Sequence, residues 1–138
     1  MTGVRIYADT SALLALADAR DQLHGRARAV HRSLADRRAL LVTTVHVVDE
    51  TLTLVRRRVH HRRAVEFGGS LLGSGSFEVV YPGGEATAQA LRWFERYADV
   101  PLSFTDCLSF VVMRGLGLTE AFTFDDHFRL MGFEVCTG

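Results

Sequence analysis

Short, continuously apolar runs alternate along the chain with longer segments in which apolar residues recur every three or four positions. Runs of the first kind, bounded by glycine, proline or polar residues, predict buried β-strands. They lie at 4–8, 40–43, 77–80, 121–124 and 133–135. Because strands without polar alternation are covered on both faces, the pattern predicts an α/β fold, a three-layer α/β/α sandwich with a central parallel sheet.

Segments of the second kind predict the helices of the two outer layers. They lie at 11–18, 22–37, 45–61, 62–72, 85–99 and 105–116, with a helical turn at 126–131. In the helix at 85–99, the spacing predicts that Ala90, Leu91, Phe94 and Ala98 face inward. Trp93 is then left outside, where it would mark a partner surface. At 138 residues, the chain is predicted to form a single domain, 1–138.

The composition narrows the function classes mainly through what it lacks. All sixteen basic residues are arginine, and a chain without lysine cannot be an ordinary P-loop NTPase or pyridoxal-phosphate enzyme. No apolar run approaches the roughly 18 residues of a membrane span. Asp9 and Asp18 interrupt the only apolar stretch near the N-terminus, so no signal peptide is predicted. The two cysteines, Cys107 and Cys136, indicate a reducing compartment, and we expect a cytoplasmic protein.

A net charge of zero conceals an uneven distribution of charge along the chain. Residues 20–63 contain eleven arginines and four acids, whereas residues 64–138 contain four arginines and ten acids. The basic segment includes Arg57, Arg58 and Arg62, which are candidates for contacts with RNA phosphates. A solvated helix face, or ion pairs with the acidic half, would explain the same arginines without any ligand.

Three acidic residues are predicted at the edge of the sheet where ligands bind in parallel α/β folds. Asp9 directly follows the first strand, and Asp125 directly follows the strand at 121–124. Asp106 lies in the first turn of a predicted helix, just after a loop. Each has an ordinary alternative, because Asp9 and Asp125 would serve as helix N-caps and Asp106 fits a capping box with Ser103.

Glu50 is a fourth candidate because of its position on the helix at 45–61. It shares a stripe with Val47 and Leu54, whereas Asp49 shares a polar face with Arg56. A carboxylate on an apolar stripe is costly unless it is paired or bound to a cation. Its alternative role is a favourable interaction with the helix N-terminus.

Four carboxylates that converge at one edge would repel each other unless they bound a cation. An all-oxygen cluster suits Mg²⁺ or Mn²⁺ better than zinc. Such ions activate water and stabilise charge during phosphodiester cleavage. The residues alone therefore favour a metal-dependent nuclease. A phosphatase of the haloacid-dehalogenase type is disfavoured, because Ser11 stands where its second aspartate is needed and no lysine is present.

The order and spacing of these motifs resemble the PIN domain, and most closely the VapC toxins of bacterial toxin–antitoxin modules. The resemblance covers the whole chain and is carried by Tyr7-Ala8-Asp9-Thr10-Ser11, Val48-Asp49-Glu50-Thr51, Thr105-Asp106-Cys107 and Thr123-Phe124-Asp125-Asp126-His127-Phe128. It implies a Mg²⁺- or Mn²⁺-dependent endoribonuclease that acts on tRNA or rRNA.

The resemblance also implies roles for individual residues and partners. Asp9 and Asp106 match the principal metal ligands, Glu50 and Asp125 complete the acidic quartet, and Thr10 or Ser11 matches a hydroxyl residue that orients the first aspartate. Asp126 competes with Asp125 for the fourth position. The implied partners are an RNA substrate, a cognate antitoxin and a second copy of the chain, with no membrane. A non-toxin RNA-processing nuclease and an inactive PIN module remain the alternatives.

Overall fold

The computed structural model describes residues 3–137, which form five strands and seven helices. The strands are β1 (Arg5–Ala8), β2 (Leu40–Thr44), β3 (Phe77–Val80), β4 (Glu120–Phe122) and β5 (Glu134–Val135). The helices are α1 (Thr10–Ala17), α2 (His24–Asp36), α3 (Val45–Arg58), α4 (His61–Gly73), α5 (Gly84–Arg96), α6 (Phe104–Leu116) and α7 (His127–Leu130). The predicted alternation of strands and helices is therefore confirmed.

The five strands form one parallel sheet in the order β3-β2-β1-β4-β5. The chain moves from β1 to β2 and β3, and then returns to the other side of β1 to form β4. Since such crossovers are right-handed, α1 to α4 cover one face and α5 to α7 cover the other, which gives the predicted three layers. The order of the strands reverses between β1 and β4, and this switch point is where open α/β sheets bind ligands.

The core is built around β1, whose residues Ile6, Tyr7 and Ala8 are fully buried. The Tyr7 hydroxyl lies 2.6 Å from the Ser109 hydroxyl on α6, so the central strand is fixed to the helix above it. Phe110 of α6 packs against Phe128 at a ring-centroid distance of 4.9 Å. These contacts hold the start of α6 and the β4–α7 segment at the same end of the sheet.

Of the predicted inward face of α5, Ala90 is fully buried, but the prediction is wrong for Leu91, Phe94 and Ala98, which are exposed. Trp93 packs against Phe110 with ring centroids 6.0 Å apart, while Leu91 and Phe94 are 58% and 46% exposed. Both stripes of this helix contain an aromatic residue, so spacing alone does not distinguish them. Ala90, Trp93 and Tyr97 form the stripe that contacts the core. Trp93 is therefore not the exposed partner-surface residue that the sequence suggested.

The strand predicted at 121–124 ends two residues early, at Phe122. The backbone N–H of Phe124 donates to the Ser11 hydroxyl at 2.9 Å, and that of Asp125 donates to the Thr123 hydroxyl at 3.0 Å. These two backbone N–H groups therefore bond to side-chain hydroxyls and not to the backbone of a neighbouring strand. This early exit from the sheet turns the chain across the end of β1.

Among residues 3–137, no helix has the length and apolar character needed to cross a membrane.

Candidate metal centre and active site

Asp9 lies at the end of β1, beside the switch point, and its side chain is almost completely buried. It stands at the N-cap position of α1, but its carboxylate makes no capping hydrogen bond to that helix. The capping role that the sequence allowed is therefore wrong. Its Oδ2 instead accepts a hydrogen bond from the Thr123 hydroxyl at 3.0 Å and lies 3.2 Å from the Ser11 hydroxyl.

The hydroxyls of Ser11 and Thr123 connect the ends of β1 and β4. They lie 3.1 Å apart, and both contact the same oxygen of Asp9. Each hydroxyl also accepts a backbone N–H from the segment after β4, as described above. The orientation of Asp9 and the path of the chain into Asp125 are therefore set by one network.

Burial raises the pKa of Asp9 to about 6, and the nearby negative charge of Asp106 adds to the increase. Hydrogen bonds from the Thr10 N–H and the Thr123 hydroxyl lower this pKa, whereas the negative charge of Asp125 raises it further. Asp9, Asp106 and Asp125 therefore interact electrostatically in the metal-free protein. A buried carboxylate surrounded by like charges is the arrangement that a bound cation relieves.

Asp106 occupies the third position of α6 and completes the predicted capping box. The Ser103 N–H donates to its Oδ2 at 3.0 Å, and its own N–H donates to the Ser103 hydroxyl at 3.0 Å. Burial raises the pKa of Asp106. The hydrogen bond from the Ser103 N–H lowers this pKa, and the negative charge of Asp125 raises it. Asp106 thus caps a helix and also faces the other carboxylates.

Asp125 and His127 lie close to Asp106 and complete the cluster of possible ligands. The ligand atoms of Asp106, Asp125 and His127 all lie within 4.8 Å of one another. The His127 Nδ1 is buried and lies 3.0 Å from Asp125 Oδ1, yet it makes no hydrogen bond within the described part of the chain. Two ligands in neighbouring positions on an octahedral ion with bonds of about 2.1 Å are separated by about 3 Å. The orphaned nitrogen and the carboxylates of Asp106 and Asp125 therefore fit a divalent cation, and the charge of the buried Asp9 acts on the same cluster.

The geometry favours Asp125 over Asp126 as the acid that belongs to this cluster. The side chain of Asp126 is 95% exposed and lies 3.6 Å from Arg129. Asp125 is half-buried, and its Oδ1 accepts the His127 N–H at 2.9 Å.

The remaining sequence candidates lie outside the contacts described so far. Glu50 is half-buried on α3 and Asp49 is exposed, as their helix positions predicted. Of the two hydroxyl residues after Asp9, Ser11 contacts its carboxylate, whereas the buried Thr10 hydroxyl has no hydrogen-bond partner within residues 3–137. Arg57, Arg58 and Arg62 are exposed at the corner between α3 and α4.

No role for Thr123 follows from the sequence, because the strand predicted at 121–124 continues through it. For His127 the sequence allows either a contact with substrate or a local role in the helical turn. His127 is separated from Asp125 by one residue, and in a tight turn that spacing brings two side chains together. The combination of an acid and a histidine two residues apart, directly after a strand, was the available signal for a ligand pair.

The Thr123 hydroxyl provides a first test of this network. Thr123→Val preserves the shape of the side chain but removes the hydrogen bond to Asp9 Oδ2. We expect metal affinity and RNA cleavage to fall about 10- to 100-fold, as for other groups that orient metal ligands. Metal titration by calorimetry and cleavage rates would measure both. Thr87→Val on α5 is the control, because it removes an exposed hydroxyl that donates to the Gly83 carbonyl and contacts none of the site residues. An equal effect of the two variants would contradict the role of Thr123.

Comparison with known proteins agrees with this geometry. The sequence model described as the PIN domain matches residues 6–134. The 23S rRNA-specific endonuclease VapC20 of Mycobacterium tuberculosis, in strains CDC 1551/Oshkosh and ATCC 25618/H37Rv, is 38% identical over 128 residues, which are 93% of this chain and 95% of the relative. The crystal structure of VapC20 from that organism, described as a sarcin–ricin loop cleaving toxin, has a TM-score of 0.86 at 35% identity and covers 93% of this chain and 95% of the other.

The chain belongs to the PIN-domain family. The predicted fold and the predicted nuclease of the VapC toxin type are confirmed by these similarities.

Proposed function

We propose that this chain is the endoribonuclease toxin of a toxin–antitoxin pair and that it cleaves 23S rRNA in the sarcin–ricin loop. The observation that carries the proposal is the convergence of Asp9, Asp106 and Asp125 at the switch point of the sheet. The substrate follows from the relative VapC20, whose described target is that loop. Among the substrates that the sequence left open, this favours rRNA over tRNA.

The proposed metal site consists of Asp9, Asp106 and Asp125, with His127 as an additional ligand and Glu50 beside them. A bound Mg²⁺ or Mn²⁺ would supply a water of lowered pKa and positive charge for the phosphate oxygens. The carboxylates would hold the ion, and Glu50 would orient the attacking water. Ser11 and Thr123 keep Asp9 in position, while Thr10 lines the same turn. The imidazole nitrogen favours Mn²⁺ over Mg²⁺, because nitrogen ligands suit transition metals better than hard alkaline-earth ions.

The remaining parts of the proposal concern partners and location. A cognate antitoxin binds the toxin, the toxin pairs with a second copy, and both act in the cytoplasm where rRNA is found. The free thiols of Cys107 and Cys136 are compatible with that compartment. Arg57, Arg58 and Arg62 would provide additional contacts to RNA phosphates. A non-toxin nuclease would instead be harmless when produced without its partner, so growth after induction separates the two functions.

The test is a cleavage assay on a sarcin–ricin loop hairpin, with tRNA as the competing substrate. We expect one cut in the hairpin with Mg²⁺ or Mn²⁺ and none with EDTA. Glu50→Gln should reduce the rate strongly, whereas Asp49→Asn, on the exposed face of the same helix, should leave it unchanged. Cleavage in EDTA would overturn the metal mechanism, and preferential cleavage of tRNA would overturn the proposed substrate.

A further inference from the structure

A pocket of about 260 Å³ adjoins the carboxylate cluster, and most of its wall lies outside the site described so far. It lies between the first turn of α2 and the segment after β4, and its wall includes Leu23, Arg26, Phe124 and Arg129. We call it the Arg26 pocket. It also includes Thr123 and Asp125, so it shares a wall with the metal centre. If one phosphate of an RNA chain lay at the carboxylate cluster, the neighbouring nucleotide would lie in or next to the Arg26 pocket.

The Arg26 pocket contains a cation–π pair formed by Arg26 and Phe124. The guanidinium carbon of Arg26 lies 5.4 Å from the centre of the Phe124 ring. The backbone N–H of Phe124 donates to Ser11, and its ring makes an edge contact with Phe122 at a centroid distance of 6.3 Å. Arg26 itself is exposed. The planar guanidinium of Arg26, which lies over the Phe124 ring, therefore presents a positively charged surface to a ligand in the pocket.

Arg129 adds a second cation at the other side of the pocket. Its nearest acid is Asp126, at 3.6 Å, and the two side chains are 57% and 95% exposed. An exposed pair of this kind contributes little stability, so Arg129 can turn toward a phosphate at low cost. Because the acids beside the pocket repel the RNA backbone, cations at this position are well placed to compensate.

We propose that the Arg26 pocket binds an unpaired nucleotide of the RNA next to the scissile phosphate. The base stacks on the Arg26–Phe124 pair, and Arg129 contacts the neighbouring phosphate. Unpaired bases in RNA loops are recognised by stacking on aromatic rings and guanidinium planes, whereas paired bases are not accessible in this way. The pocket thereby selects loops over duplexes. This inference rests on the proposed function and names the structural class of its substrate.

The test compares binding of two RNAs of equal length, a hairpin with an unpaired loop and a fully paired duplex. Binding is measured by fluorescence anisotropy in the Asp9→Asn background, so that no RNA is cut. We expect Arg26→Ala to weaken loop binding about tenfold or more, the range for loss of one stacked base, and duplex binding less than threefold. Arg26→Lys keeps the charge but loses the plane, and it should show nearly the same loss of loop preference.

Arg92→Ala on α5 is the matched control, since Arg92 is exposed on the opposite face of the molecule. Thermal melts of each variant exclude unfolding, which is not expected for an exposed helical arginine changed to alanine. If Arg26→Ala weakened binding of the loop and of the duplex equally, Arg26 would contact a phosphate and the stacking role would be wrong. If binding of both RNAs were unchanged, the Arg26 pocket would not bind RNA. If the unmodified protein cuts no RNA, the proposed function fails, but the loop preference of Arg26 is still measured independently.

Discussion

We expect asparagine in place of Asp9 to abolish RNA cleavage and to make the metal-free protein more stable at neutral pH. The substitution removes a buried charge that lies among other carboxylates, and the amide oxygen can still accept the Thr123 hydroxyl. Because Asp9 is a proposed metal ligand, Mg²⁺ or Mn²⁺ should raise the melting temperature of the wild type and have little effect on the variant. Loss of activity should therefore accompany a gain in stability.

The expected gain in stability of Asp9→Asn over the wild type increases with pH. The pKa of Asp9 is about 6 in the folded protein and close to 3.8 in the unfolded chain. A raised folded pKa means that protonation of Asp9 favours folding. The contribution of Asp9 to stability is therefore fully present below about pH 4 and is lost as the pH rises through about 6. The variant lacks this dependence. The difference between variant and wild type should grow from near zero at pH 4 to as much as about 3 kcal/mol at pH 7.

Urea unfolding in EDTA, from pH 4 to 7.5, would measure this difference. Asp49→Asn is the control, since it removes a charge from an exposed position on α3 and should change neither cleavage nor the pH dependence. If Asp9→Asn destabilised the metal-free protein at pH 7 while metal still raised its melting temperature, Asp9 would have a structural role and the nuclease mechanism would be wrong.

The double role of Asp106 predicts that activity and stability can be separated by changes at two neighbouring positions. Asp106→Asn keeps an oxygen for the Ser103 N–H and should change stability little, because the lost helix-dipole interaction is offset by reduced repulsion. Its cleavage rate should fall more than about 100-fold, since a direct ligand contributes more than a group that only orients one.

Ser103→Ala should have the opposite effect. It removes the hydroxyl cap of α6 and should cost about 1 kcal/mol, while the Ser103 N–H still holds Asp106 and activity persists. Chemical denaturation and initial cleavage rates would measure the two quantities. Comparable losses of activity in both variants would contradict the proposed division between capping and metal binding.

The parts of the site that follow directly from strand ends could be predicted from the sequence. Asp9 and Asp125 were expected at the ligand-binding edge because each follows an apolar run, and the fold places them beside each other. Asp106 was expected both as a cap and as a site residue, and its geometry accommodates both. The apolar stripe beside Glu50 correctly predicted that it is less exposed than Asp49.

The parts that depend on long-range hydrogen bonds could not be predicted. The chain leaves the sheet after Phe122 because the Phe124 N–H donates to the hydroxyl of Ser11, more than a hundred residues away in sequence, instead of to a neighbouring strand. The inward face of α5 was wrong because Trp93 and Phe94 are adjacent and each lies on an apolar stripe. Only the position of Phe110 on the neighbouring helix determines which of the two is covered.

The capping box of α6 also has a consequence for the choice of cation. Within the described residues, the hydrogen bond from Ser103 engages Oδ2 of Asp106 and leaves Oδ1 as the oxygen without a hydrogen bond. A carboxylate restrained in this way offers one oxygen more readily than two. Ca²⁺ fills its larger shell of six to eight oxygens partly with two-oxygen carboxylates, whereas Mg²⁺ takes one oxygen from each ligand in a compact octahedron. We therefore expect the helix cap to disfavour the larger Ca²⁺ at the proposed metal site.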